Sequence, residues 1–153
     1  MKPVTVSIEV PNPPQQVYEY LDVLGNHEEF MDHFMVDWKL SGPKRGVGAK
    51  ANVRVKATAE KDWTDVEVVE ADAGRRIVEE SRGGSRGKRR LRGTYLLEKR
   101  PGNGTKVTFQ LEFLELPTGE RLMGPLNRAY VRRVNGKAMK RLAEQLSLHF
   151  PAR

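Results

Sequence analysis

Residues 124–150 read GPLNRAYVRRVNGKAMKRLAEQLSLHF, and the spacing of their apolar members decides the architecture. Leu126, Tyr130, Val134, Ala138, Leu142 and Leu146 recur every four residues, the stripe of a long amphipathic helix. Gly124-Pro125 opens it, since proline is tolerated in a first turn whose N–H groups have no helical partner. Pro151 follows its end. Gly136 costs roughly 1 kcal/mol against alanine in a helix interior, which predicts close packing or a bend there.

Working backwards, the period changes from four to two. Val107, Phe109, Leu111 and Phe113 alternate with polar residues and form the apolar face of a strand. Pro101-Gly102-Asn103-Gly104 precedes it, and Asn-Gly suits the positive φ of a type I′ hairpin turn. Arg89 to Lys99 is the strand before that turn, with its inward face open between Tyr95/Leu97 and Thr94/Leu96. Trp63 to Ala71 and Arg76 to Arg82 are two more strands. Ala49, Ala51, Val53, Val55 and Ala57 alternate strictly with Lys50, Asn52, Arg54 and Lys56, so one set faces inward and the other water. Met35 to Leu40 is a further strand.

At the other end, Val4, Val6, Ile8 and Val10 alternate against Thr5, Ser7 and Glu9. Pro11 stops this strand. Asn12, Pro13 and Gln15 read as N-cap, first helical residue and capping-box partner, opening a short helix that ends at Gly25-Asn26. A second short helix covers His27 to Phe34. The order is strand, two short helices, about six strands and one long helix. A twisted antiparallel sheet of that size curls, and the terminal helix is the element left to cover its concave face. The fold class is α+β, with residues 1–153 expected to form a single domain.

The bulk composition agrees. With 38% hydrophobic and 31% charged residues, the chain is globular rather than disordered. No apolar run approaches the roughly 18 residues that span a bilayer, and Met1-Lys2-Pro3-Val4 lacks the features of a signal peptide. The expected location is cytoplasmic. No cysteine is present, which excludes disulfides, thiol nucleophiles and thiolate metal sites. The net charge of +7 suits solubility or attraction to an anionic partner.

Several pieces, in this order and spacing, resemble one superfamily. They are Ile8-Glu9-Val10-Pro11 running into Pro14-Gln15-Gln16-Val17-Tyr18-Glu19-Tyr20-Leu21, then Gly46-Val47-Gly48, Val68-Val69-Glu70, Gly104-Thr105-Lys106-Val107-Thr108, and Leu142-Ala143-Glu144-Gln145-Leu146. Together they resemble the START-like superfamily, also called helix-grip or Bet v 1-like, and within it the polyketide cyclase/dehydrase and lipid-transport group. The resemblance implies a curved sheet of about seven strands gripping the C-terminal helix, with a cavity between them for lipids, sterols, quinones, plant hormones or polyketides. No universal catalytic signature transfers, so the catalytic residues stay open and no cofactor is expected.

If the helix covers the concave face, the ligand-binding candidates are Val53, Val55, Phe109, Leu111 and Phe113 on the sheet and Met123, Leu126, Tyr130 and Val134 on or near the helix. Trp63, Tyr95, Asn127 and Tyr130 are the polar or amphipathic members. The competing reading is that these residues fill a solid core. His27-Glu28-Glu29 with Asp32-His33 has the wrong histidine spacing for a helical zinc pair, so no metal is expected; His27 or His33 could act as acid–base groups if the chain is a cyclase. Gly83-Gly84-Ser85-Arg86-Gly87 matches G-x-S-x-G, but a strand follows where a hydrolase needs a helix; it reads as a turn that could gate the cavity. Arg86, Lys88, Arg89, Arg90 and Arg92 form a basic patch, suited to an anionic membrane or RNA backbone. It lacks interleaved aromatics for base stacking. Three readings follow: a binding or transfer protein for an apolar small molecule, a polyketide cyclase, aromatase or dehydratase using the same cavity, and an interaction protein working through its basic face.

Overall fold

The computed structural model describes residues 1–56 and 62–151. Ala57, read above as the end of a strand, lies outside the described residues. The order is β1 (Val4–Val10), α1 (Pro14–Asp22), a 3₁₀ turn (Leu24–His27), α2 (Glu28–Met31), β2 (Met35–Ser41), β3 (Lys50–Val55), β4 (Asp62–Asp72), β5 (Arg76–Gly83), β6 (Arg89–Lys99), β7 (Thr105–Glu115), α3 (Thr118–Leu122) and α4 (Gly124–His149). The seven strands form one antiparallel sheet in the order β1-β7-β6-β5-β4-β3-β2. β1 and β2 therefore lie on opposite edges, and α1, the 3₁₀ turn and α2 carry the chain between them. α4 packs against β1 and α2. This is the helix-grip arrangement.

The alternations explain which side of each strand is buried. Ala49, Ala51 and Val53 face inward before and along β3, and Val66 and Val68 along β4. On β6, Tyr95 and Leu97 are buried while Leu96 is exposed, which settles the face left open by the sequence. One buried cluster joins Leu21, Leu24 and Phe30 to Ile77, Tyr95, Ala138, Leu142 and Leu146.

Local expectations shift in three places. α1 begins at Pro14, with Pro13 at its cap and no side-chain cap bond; the Asn12 amide instead donates to Gln16 Oε1 at 3.1 Å. The β6–β7 turn places positive φ at Gly102 and Asn103 rather than at Asn103 and Gly104, and the Arg100 N–H donates to the Gly104 carbonyl across it. Gly136 has open space where a Cβ would stand, so it marks neither close packing nor contact.

Candidate ligand cavity

α4 covers the sheet unevenly. From Val134 onward its apolar stripe is buried, but Leu126 is 64% exposed and Met123 50%. The geometry follows from the period. Four residues turn a helix about 40° past a full circle, so a strict four-residue stripe centred on Ala138 and Leu142 has rotated well away from the sheet by Leu126. The space left under the N-terminal half of α4 is a cavity of about 660 Å³, within the range of small-molecule sites.

Of the residues singled out from the sequence, Val55, Trp63, Phe109, Leu111, Phe113, Asn127, Tyr130 and Val134 line this cavity. Four do not. Val53 is fully buried in the packed core. Tyr95 is sealed among Ile77, Phe109 and His27. Leu126 faces outward for the reason just given, and Met123, at the cap just before α4, is half exposed. Trp63 alternates with the inward Asp62 and Thr64, and its ring carries the Lys39 ammonium 4.7 Å from its centroid, so it reaches only the rim. Sequence reasoning missed Met31, Phe34, Met35 and Trp38, which the α2–β2 connection brings to the wall. It also missed the charged lining residues Asp62, Glu79 and Glu120.

The basic patch divides. Arg89 shares the inward parity of Leu91, Gly93 and Tyr95 and is a cavity residue, not a surface one. Its Nη2 donates to Asp62 Oδ1 (2.7 Å) and Thr64 Oγ1 (3.1 Å), and its Nη1 to Glu120 Oε1 (3.3 Å). The Gly84 N–H adds a donor to Asp62 Oδ1 at 3.3 Å, and Asn127 donates to the Glu120 carbonyl at 2.8 Å. Burial pulls the Arg89 pKa down, but the bond and charge of Asp62 and the charge of Glu120 outweigh it. This cluster ties β4, β6 and α3 together at one end of the cavity. Arg92 pairs with Glu80 at 2.9 Å and Arg90 lies 4.0 Å from Glu115. Arg86 and Lys88 border a separate groove.

A second buried cluster contrasts with the first. Glu79 lines the cavity, and burial pushes its carboxyl up to about 7. His27 Nδ1 lies 3.9 Å from Glu79 Oε2. The His27 Nε2 bonds the Leu21 carbonyl at 2.8 Å; a carbonyl only accepts, so Nε2 carries the hydrogen and Nδ1 of the neutral ring is an acceptor. Burial holds this ring neutral, lowering its pKa to about 4 against the smaller opposing effect of that bond. The Tyr95 hydroxyl is held well above its ordinary pKa by burial and then by the Glu79 charge. His27 Nδ1, Glu79 Oε2 and the Tyr95 hydroxyl all lack a hydrogen-bond partner.

His33, the other acid–base candidate, is engaged elsewhere. Its Nε2 donates to the Val134 carbonyl at 2.8 Å, and its Nδ1 accepts from Arg141 at 2.9 Å. Among the described residues, no three histidines or carboxylates gather as metal ligands, and no helix is long and apolar enough to cross a membrane.

Solved structures repeat this arrangement. The Zhui aromatase/cyclase of Streptomyces sp. R1128 aligns with a TM-score of 0.78 at 15% identity, over 99% of this chain and 96% of its own. A START superfamily protein of Mycobacterium smegmatis aligns with a TM-score of 0.76 at 9% identity, over 96% and 98%. A Thermus thermophilus protein aligns with a TM-score of 0.73 at 17% identity, over 97% and 99%. At these identities the likeness is one of fold. No curated protein matches the sequence. The family described as polyketide cyclase / dehydrase and lipid transport matches residues 1–147, and the chain belongs to that family.

Proposed function

We propose that this protein binds an apolar small molecule, of lipid, quinone or polyketide type, between the sheet and the N-terminal half of α4, and acts as its carrier or sequestering protein. The observation that carries the reading is the cavity of about 660 Å³ with largely apolar walls, left where α4 lifts from the sheet. Folding alone favours filling such a space, because unpacked walls forfeit dispersion contacts. A ligand would restore them, gaining about 25 cal/mol per Å² of apolar surface buried before ordering costs. The test is native mass spectrometry of the purified protein beside mass spectrometry of its organic extract. A stoichiometric apolar compound supports the carrier reading. Protein that is empty and takes up no apolar fluorophore counts against it.

One observation favours a second reading, turnover of a polyketide in the same cavity. Glu79 is a cavity carboxyl able to gain and lose a proton near neutral pH, the property expected of a general acid–base group. Consumption of a poly-β-keto thioester by the wild type and not by Glu79→Gln would support it.

A further inference from the structure

Glu79 occupies a position that stability does not explain. A buried carboxylate is tolerable when a cation or several donors meet it. Here neither does. On β5, Glu79 stands four residues from Gly83, the strand partner of Arg89, which is about 13 Å along the strand and beyond ion-pair reach. Arg89 is in any case occupied by Asp62 and Glu120. Among the described residues the nearer groups, His27 and Tyr95, offer no positive charge: His27 turns an acceptor toward Glu79 and Tyr95 is neutral.

The wall as a whole repeats this imbalance. Among the described residues, its charged side chains are three carboxyls, Asp62, Glu79 and Glu120, and one guanidinium, Arg89. A chain with a net charge of +7 thus encloses an acid-rich cavity. The strand partner of Glu79 is Gly93. A Cβ at Gly93 would stand 2.9 Å from the Phe109 ring and 3.4 Å from Glu79 Cγ, so the missing side chain is what lets an aromatic ring and the carboxyl stem lie side by side. A carboxylate beside an aromatic ring in an apolar enclosure is the environment that recognises an organic cation.

We propose that the inner end of the cavity is a cation-recognition site, in which an apolar molecule bearing a protonated amine seats its ammonium against Glu79, flanked by Phe109. The proposal rests on the cavity reading above and narrows its ligand class to amines. Glu79 Oε2 is sealed beside His27, which leaves the other carboxyl oxygen to meet the ligand. The outward positive charge does not forbid entry, because solvent ions screen it beyond about 8 Å.

Three probes of one shape test this: 1-naphthylmethylamine, 1-naphthalenemethanol and 1-naphthoic acid, titrated calorimetrically at pH 8 into the wild type and Glu79→Gln. The wild type should bind the amine about tenfold more tightly than the alcohol, with the acid weakest. Glu79→Gln should bring the amine level with the alcohol and leave the alcohol within about twofold. A second measurement needs no variant. Amine binding to the wild type should strengthen about tenfold from pH 5.5 to 8 as Glu79 ionises, while alcohol binding stays constant. His27 and Tyr95, the titratable groups facing Glu79, stay uncharged over that range. Equal affinity for the three probes, or an amine preference that survives Glu79→Gln without pH dependence, overturns the cation site and leaves the cavity standing. Failure of all three to bind overturns the cavity and the cation site together.

Discussion

Two buried polar clusters stand on the same concave face, four positions apart along β5, and they are built on opposite terms. Around Arg89, two acids and a threonine hydroxyl meet the guanidinium, and a backbone N–H supplements one of the acids. Around Glu79, three polar atoms are buried with no partner. The first cluster is complete and joins α3 to the sheet. The second is held in place by aromatic packing of His27 on Phe30 and of Tyr95 on Phe109 and by the His27–Leu21 bond, and leaves those three atoms unpaired. The difference separates polar burial that holds the fold from polar burial that awaits something else.

The largest expected effect breaks the complete cluster. Arg89→Met leaves Asp62, with a side chain only 7% exposed, as a buried acid without its cation. Such a loss costs about 3–5 kcal/mol, read as a lower midpoint of urea unfolding at pH 7. Glu120 is a third exposed, so Glu120→Gln should cost less than about 1 kcal/mol. An Arg89→Met variant within about 1 kcal/mol of the wild type would mean that the cluster does not hold α3 to the sheet.

The next effect lies in the pH dependence of stability. Glu79 is pushed from its ordinary 4.5 up to about 7 in the folded chain. The folded state then holds more protons than the unfolded, so this group's contribution is complete below pH 4.5 and is lost as pH rises through 7. His27 is lowered from 6.5 to about 4, so its contribution runs the other way: complete above pH 6.5 and lost as pH falls through 4. Each is worth about 3 kcal/mol across its window. Between pH 4.5 and 6.5 they oppose and largely cancel. Glu79→Gln removes one of the pair, so its stability should rise by about 3 kcal/mol relative to wild type from pH 4.5 to 6.5. Parallel profiles for the two proteins, measured by urea unfolding at intervals of pH, would show that Glu79 does not titrate as an unpartnered acid.

How far these clusters were legible in the sequence differs with the range of the contact. The strands were, because period-two alternation is a local property, and so was the long helix. The grip of α4 was only partly visible: a four-residue stripe announces a helix, but its drift away from the sheet shows only against a partner of fixed curvature. That is why Leu126 was expected in the cavity and stands outside it; Met123, also expected there, sits at the cap before the helix and is half exposed. Arg89 was read with its basic neighbours as surface, since its partners Asp62 and Glu120 lie 27 and 31 residues away. One signal was present. Choosing Tyr95 and Leu97 as the inward face of β6 turns Arg89 inward by parity, and Ile77 does the same for Glu79 on β5. His27 carried no comparable mark, because its place under the sheet depends on how the 3₁₀ turn packs.

The smallest effect is the sharpest on the comparison itself. Removing a tyrosine hydroxyl that has a partner costs about 1 kcal/mol, whereas removing a buried hydroxyl that has none relieves an unmet desolvation cost. Tyr95 is fully buried and its hydroxyl is unpartnered, so Tyr95→Phe should stabilise by about 0.5 kcal/mol. Its aromatic contacts with His27 and Phe109 are kept. Thr64→Val is the matched change in the other cluster. It removes an acceptor that Arg89 uses at 3.1 Å and should destabilise by about 1 kcal/mol. Thermal unfolding of the two variants side by side reads the contrast as opposite shifts in Tm. A fall in Tm for both would mean that the Tyr95 hydroxyl is satisfied after all, and that the inner end of the cavity is as complete as its Arg89 end.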